Sequence, residues 1–178
     1  QPFHIYYLTV SGHLEYNFYD DDMAVKNRDA VEDMDMSDAC KAYMAANIEL
    51  DKAMELLLER LEEAGELDNT VIALAGDHYP YGLSSSEISE FRGHQIDETY
   101  ELYKSTFILW TPGMEPETVD KLSSNMDILP TLSNMFGLEY DSRLLMGRDI
   151  FSDCEGFVVF KDKSWISERG TRDDLLEE

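Results

Sequence analysis

The 178 residues carry 14 lysines and arginines against 38 aspartates and glutamates, a formal net charge of −24. That length buries a core without disulfide or metal staples and predicts a single domain. The hydrophobic share of 43% is too high for a disordered chain, and the charge excludes a nucleic-acid partner and disfavours an anionic membrane surface.

Residues 3–10 (FHIYYLTV) are aromatic and β-branched and predict a buried strand, broken by Ser11-Gly12-His13. No basic-then-apolar leader opens the chain, and no apolar run approaches a membrane span. The acidic stretch 15–38 predicts a solvated surface loop. Its Asp33, Asp35 and Asp38 lack the glycine and closing glutamate of a calcium-binding loop. Ser37 or Asp38 then caps a long amphipathic helix, with Tyr43, Ala46, Leu50, Ala53, Met54, Leu57, Leu61 and Ala64 at helical spacing and Gly65 as the stop. The apolar stripe is expected to pack on a sheet.

Thr70–Ala75 predicts a strand without polar alternation, as in a parallel sheet covered by helices. Strand, helix and strand make a βαβ unit, with Gly76-Asp77-His78 just past the carboxyl end of its second strand, where α/β sheets bind ligands. Beyond it come a short helix or loop at 84–91, a strand at 105–110 and a helix at 124–136 containing Pro130. A hairpin of 156–160 and 164–167 and a charged tail over 169–178 close the chain. Cys40 and Cys154 have no metal-type spacing and are expected as free thiols rather than a disulfide.

Asp77 and His78 pair a carboxylate with an imidazole, a combination that holds a divalent metal or serves as a base and its orienting partner. Gly76 gives the chain the freedom to turn both toward one ion. His13 follows the first predicted strand, so the βαβ topology places it on the same rim as Asp77 and His78. His94 is expected to be an exposed loop residue. Tyr79 and Tyr81, flanking Pro80, either line a groove or pack the loop.

The blocks FHIYYLTVSGHLEY, YMAANIELDKAMELLLERLEEAGELDNTVIALAGDHYPYG and SSNMDILPTLSNMFGLEYDSRLLMGRDIFS resemble the sulfatase-type domain of lipoteichoic acid synthase-like proteins, members of the alkaline phosphatase superfamily. The resemblance runs in order through residues 2–152 and takes in the hairpin strand at 164–167. It implies an α/β, alkaline phosphatase/sulfatase-like fold, mainly a parallel sheet covered by helices, truncated on its N-terminal side and ending in a short hairpin. Residues 1–178 are then a single, partial domain, whose open sheet edge invites self-association.

The same resemblance implies that Asp77 and His78 hold the catalytic divalent metal, manganese first, with magnesium and zinc as alternatives. It implies that His13 binds the substrate's phosphate. In MDILPT, Asp127 and Pro130 are read as structural. The family's hydroxyl nucleophile has no counterpart here: Thr9, Ser11 and Ser84–Ser86 lack its context, so the catalytic nucleophile is expected upstream and this chain alone to be inactive. The implied activity is metal-dependent transfer or hydrolysis of phosphoric or sulfuric esters, foremost glycerol-phosphate transfer from a lipid-linked substrate at the extracellular face of a bacterial membrane. An arylsulfatase, a phosphoethanolamine transferase and a non-catalytic binding domain are the rival expectations.

Overall fold

A computed structural model describes residues 2–171. They divide between Met114 and Glu115 into two compact units.

In the first unit, helix α1 (Asp22–Lys26) is capped by the Asp21 carboxylate, which accepts from the Met23 and Ala24 amides. Helix α2 (Asp38–Glu63) runs for 26 residues, about 39 Å at its usual rise. Ser37 caps it, accepting from the Cys40 amide, and Gly65, at φ +70°, follows its last turn in a conformation that suits glycine. The expected long helix and its terminal residues are therefore observed. Its buried face differs from the expected stripe. Cys40, Ala42, Ala45 and Ala46 are the buried residues, whereas Ala53 and Ala64 are exposed. The short alanine side chains let α1 approach closely, and Ala24, Asn27 and Val31 are buried with them. The stretch 15–38 is thus not a solvated loop: it contains α1, and its Tyr16, Ala24, Asn27 and Val31 are buried while most of its acidic residues are exposed.

Strand β1 (Ile72–Ala75) pairs with β2 (Phe107–Trp110), Ile72 opposite Trp110 and Ala75 opposite Phe107. The pairing is antiparallel, which corrects the parallel sheet expected here. Residues 76–106 turn the chain back, with helix α3 (Ser85–Arg92) inside that return, and an antiparallel ladder needs only such a reversal. Nor do residues 3–10 form a strand. Phe3, Tyr6 and Val10 are more than two-thirds exposed, and no described ladder includes them. Their composition suits a strand, but a strand exists only where a neighbour takes up its backbone hydrogen bonds. Without that first strand, the expected βαβ unit is absent among the described residues.

The second unit holds a short 3-10 turn at Asn125–Asp127, helix α4 (Ile128–Met135) and a three-stranded antiparallel sheet. Its strands are β3 (Phe157–Val159), β4 (Trp165–Ser167) and β5 (Gly170–Thr171). The first two are the expected hairpin. The charged tail lies, from residue 172 on, outside the described residues. Cys40 and Cys154 are both free.

Candidate functional site

Asp77 and His78 stand where β1 ends, and Gly76 permits the close approach of the Ser105 hydroxyl, which a side chain there would press to 3.1 Å. The structure brings the pair together: Nε2 of His78 lies 3.5 Å from an Asp77 carboxylate oxygen, and both side chains are largely exposed. On its other side, the His78 ring places Nδ1 2.8 Å from the Tyr79 carbonyl oxygen. A carbonyl only accepts, so a hydrogen bond there uses the Nδ1–H form of the ring, the form that offers Nε2, on the Asp77 side, to a cation.

His13 is exposed at a turn closed by its own amide donating to the Val10 carbonyl at 3.0 Å. Its Nδ1 lies 3.2 Å from the Leu14 carbonyl oxygen. The residues that follow it reach the loop carrying Asp77 and His78. A Cβ on Gly82 would lie 2.9 Å from the Tyr16 ring and 3.2 Å from Leu14, so glycine is what lets segment 14–16 lie against that loop. Tyr16 is buried, and its phenol is pushed up to about 12, first by burial and then by the charges of Tyr43, Tyr81, Asp21 and Asp77. It therefore stays protonated beside the acidic pair. Sequence reasoning passed over Tyr16; the glycine within Tyr79-Pro80-Tyr81-Gly82-Leu83 is the signal that marks its contact.

Tyr79 is half-buried against the core, with its ring edge-on to Tyr103 at 5.3 Å, which settles it as loop packing. Tyr81 is 48% exposed, and its ring is 4.7 Å from the His78 imidazole. His94 is exposed, as expected, but not free. Its Nε2 is 2.7 Å from a Glu101 carboxylate oxygen, a contact that, ahead of the Asp97 amide, holds the Glu101 carboxyl below the usual range.

Carboxylate oxygen and imidazole nitrogen suit manganese, magnesium or zinc. Metal-binding histidines commonly turn their second ring nitrogen to a carbonyl, as Nδ1 of His78 is turned to that of Tyr79. Two donors do not complete a shell, and no group of three His, Cys, Asp or Glu side chains converges among the described residues. The pair fits a cation as part of a donor set. In the second unit, a cavity of about 430 Å³ lined by Asn134, Arg148 and Cys154 includes none of His13, Asp77 and His78.

The Sulfatase family model matches residues 1–138. The chain is similar to lipoteichoic acid synthase-like YvgJ of Bacillus subtilis, 27% identical over 175 residues that cover 94% of this chain and 28% of that protein. It is 25% identical to lipoteichoic acid synthase 1 of the same organism over 182 residues, which cover 99% of the chain and 27% of the relative. Lipoteichoic acid synthase of Staphylococcus saprophyticus is 26% identical over 174 residues, 94% and 26% of the two chains. The chain thus spans about a quarter of the length of these curated relatives.

Proposed function

The chain belongs to the sulfatase family, and from that premise we propose that it is the metal-ligand part of a phosphoric-ester transferase resembling the lipoteichoic acid synthases. The observation that carries the reading is the Asp77–His78 pair at the end of β1, with His78 Nε2 3.5 Å from an Asp77 carboxylate oxygen and Nδ1 2.8 Å from the Tyr79 carbonyl oxygen.

Asp77 and His78 would hold a divalent cation, manganese in the first instance, with further ligands and the hydroxyl nucleophile coming from parts of the full protein outside residues 1–178. A bound cation would lower the pKa of that hydroxyl and neutralise charge on the phosphoryl oxygens. Asp77 would contribute a carboxylate oxygen and His78 its Nε2, with Nδ1 of the same ring 2.8 Å from the Tyr79 carbonyl oxygen. His13 would donate to a phosphoryl oxygen as negative charge builds there, and the contact of segment 14–16 with the loop at Gly82 supports that placement. The substrate class is a lipid-linked glycerol phosphate, and the site of action is the outer face of a bacterial membrane. No helix among the described residues is long and apolar enough to cross a membrane, so attachment would rest on other parts of the full protein.

Asp77→Ala and His78→Ala test this in the full-length protein, with transfer from phosphatidylglycerol vesicles in Mn²⁺ as the assay. Loss of an outer-shell partner alone costs up to about a hundredfold, so loss of a ligand is expected to cost at least that. Turnover at the wild-type rate in either variant overturns the assignment.

A further inference from the structure

The loop after His78 is more constrained than ligation alone requires. The Tyr79 carbonyl accepts twice, from His78 Nδ1 at 2.8 Å and from the Tyr81 amide at 2.8 Å. The second bond closes a three-residue turn centred on Pro80, a geometry that suits proline's fixed φ of about −65°. The next turn follows at once, with the Leu83 amide donating to the Pro80 carbonyl at 2.9 Å and Leu83 itself buried. Tyr79 is braced by Tyr103, and Gly82 by Tyr16. That tight path returns Tyr81 over the His78 ring, centroids 4.7 Å apart and planes at 50°, although the tyrosine is half exposed and the core does not need it there.

We propose that Tyr81 is a positioning residue: its ring, delivered by the Pro80 turn, holds the His78 imidazole on the Tyr79 carbonyl so that Nε2 stands ready on the Asp77 side before a divalent cation arrives. An imidazole on an exposed loop end otherwise turns toward water and exchanges its proton between the two nitrogens. Packing the ring against Tyr81 removes that freedom and keeps Nδ1 at the Tyr79 carbonyl, which favours the Nδ1–H form. The cation meets a donor already directed, which is how a partner of a ligand raises affinity without touching the metal. The inference rests on the reading of Asp77 and His78 as cation ligands.

Two measurements separate the inference from that reading. The first is the tautomer of His78 in the metal-free chain by long-range ¹⁵N–¹H correlation at about pH 8, where a histidine is neutral; the chain's four histidines make assignment against His78→Gln direct. Wild type and Tyr81→Phe, which keeps the ring, are expected to show Nδ1–H, and Tyr81→Leu a mixture. The second is the affinity of the full-length protein for Mn²⁺ alone, by calorimetry, expected to fall about tenfold in Tyr81→Leu and to be retained in Tyr81→Phe. A Tyr81→Leu protein with the wild-type tautomer and wild-type Mn²⁺ affinity overturns the positioning role while leaving the cation site intact. A tautomer that shifts in Tyr81→Leu while wild type itself binds no Mn²⁺ supports Tyr81 as the holder of His78 and overturns the cation reading instead.

Discussion

Asp127 is buried and saturated. One carboxylate oxygen accepts from the Ser124 amide at 2.7 Å and hydroxyl at 3.3 Å, and the other from the Arg148 amide at 2.7 Å. One turn on, the fully buried Thr131 hydroxyl donates to the Asp127 carbonyl at 2.6 Å and accepts from the Ile150 amide at 3.1 Å. Segment 147–150 is thereby clamped to the start of α4, so closely that a Cβ on Gly147 would collide with the Met126 carbonyl. Gly147→Ala is expected to lower the unfolding free energy by about 3 kcal/mol, the upper end for overpacking, because the obstacle is backbone and cannot rotate away. Urea unfolding checks it, and a variant within about 0.5 kcal/mol of wild type contradicts the clamp. The sequence made Asp127 legible as a structural residue near a helix start, and the structure adds that Ser124 three positions earlier completes a capping box with it. Its second partner, 21 residues away, left no local signal. Asp77 and His78 were legible for a different reason: their chemistry is local, and adjacent residues need only a glycine-relaxed turn to meet. Tyr81 over His78 was visible as an aromatic beside a proline, but its direction depends on a turn that only coordinates reveal.

At the scale of elements, α1 and α2 are joined by a polar knot. The buried Asn27 amide donates to the Ala45 carbonyl at 3.1 Å and to Glu49 at 2.9 Å, while Lys26 and Lys52 reach Glu49 at 2.7 and 2.9 Å. The Lys26 contact first, then Asn27 and Lys52, lowers the Glu49 carboxyl from 4.5 to about 2. Because the folded value is the lower one, the stabilisation is fully present above about pH 4.5 and is lost as the pH falls from there through 2. Glu49→Gln is expected to lower the melting temperature at neutral pH and to lose that acid-dependent component between pH 4.5 and 2. Equal acid dependence in the two proteins contradicts the knot. Helix α2 was readable because its 26 residues repeat the pattern seven times, enough to fix period and caps. The acidic stretch was misread since its average charge hides Ala24, Asn27 and Val31, the few residues that pack. The strands were readable as composition but not as pairing. Side chains in 3–10 and 72–75 record a preference for extended backbone, whereas parallel or antiparallel order depends on which segment comes alongside.

For the whole molecule, family was more legible than architecture. Three ordered blocks carry the sulfatase resemblance across most of the chain, and the family match over residues 1–138 agrees with it. The coarse α/β expectation holds as a mixture of helices and small sheets, while the parallel order does not. The net charge of −24 gave no guide to the site, because one of its two densest acidic runs, residues 20–38, packs on α2 through its other residues. What this chain supplies is a carboxylate oxygen and an imidazole nitrogen 3.5 Å apart, with the Tyr79 carbonyl and the Tyr81 ring against the imidazole. The most direct measurement is anomalous diffraction from crystals of the full-length protein soaked in Mn²⁺. A manganese peak is expected within about 2.0–2.6 Å of both an Asp77 carboxylate oxygen and His78 Nε2, the span of hard divalent cations. A manganese peak bound elsewhere, with neither side chain in contact, contradicts the assignment.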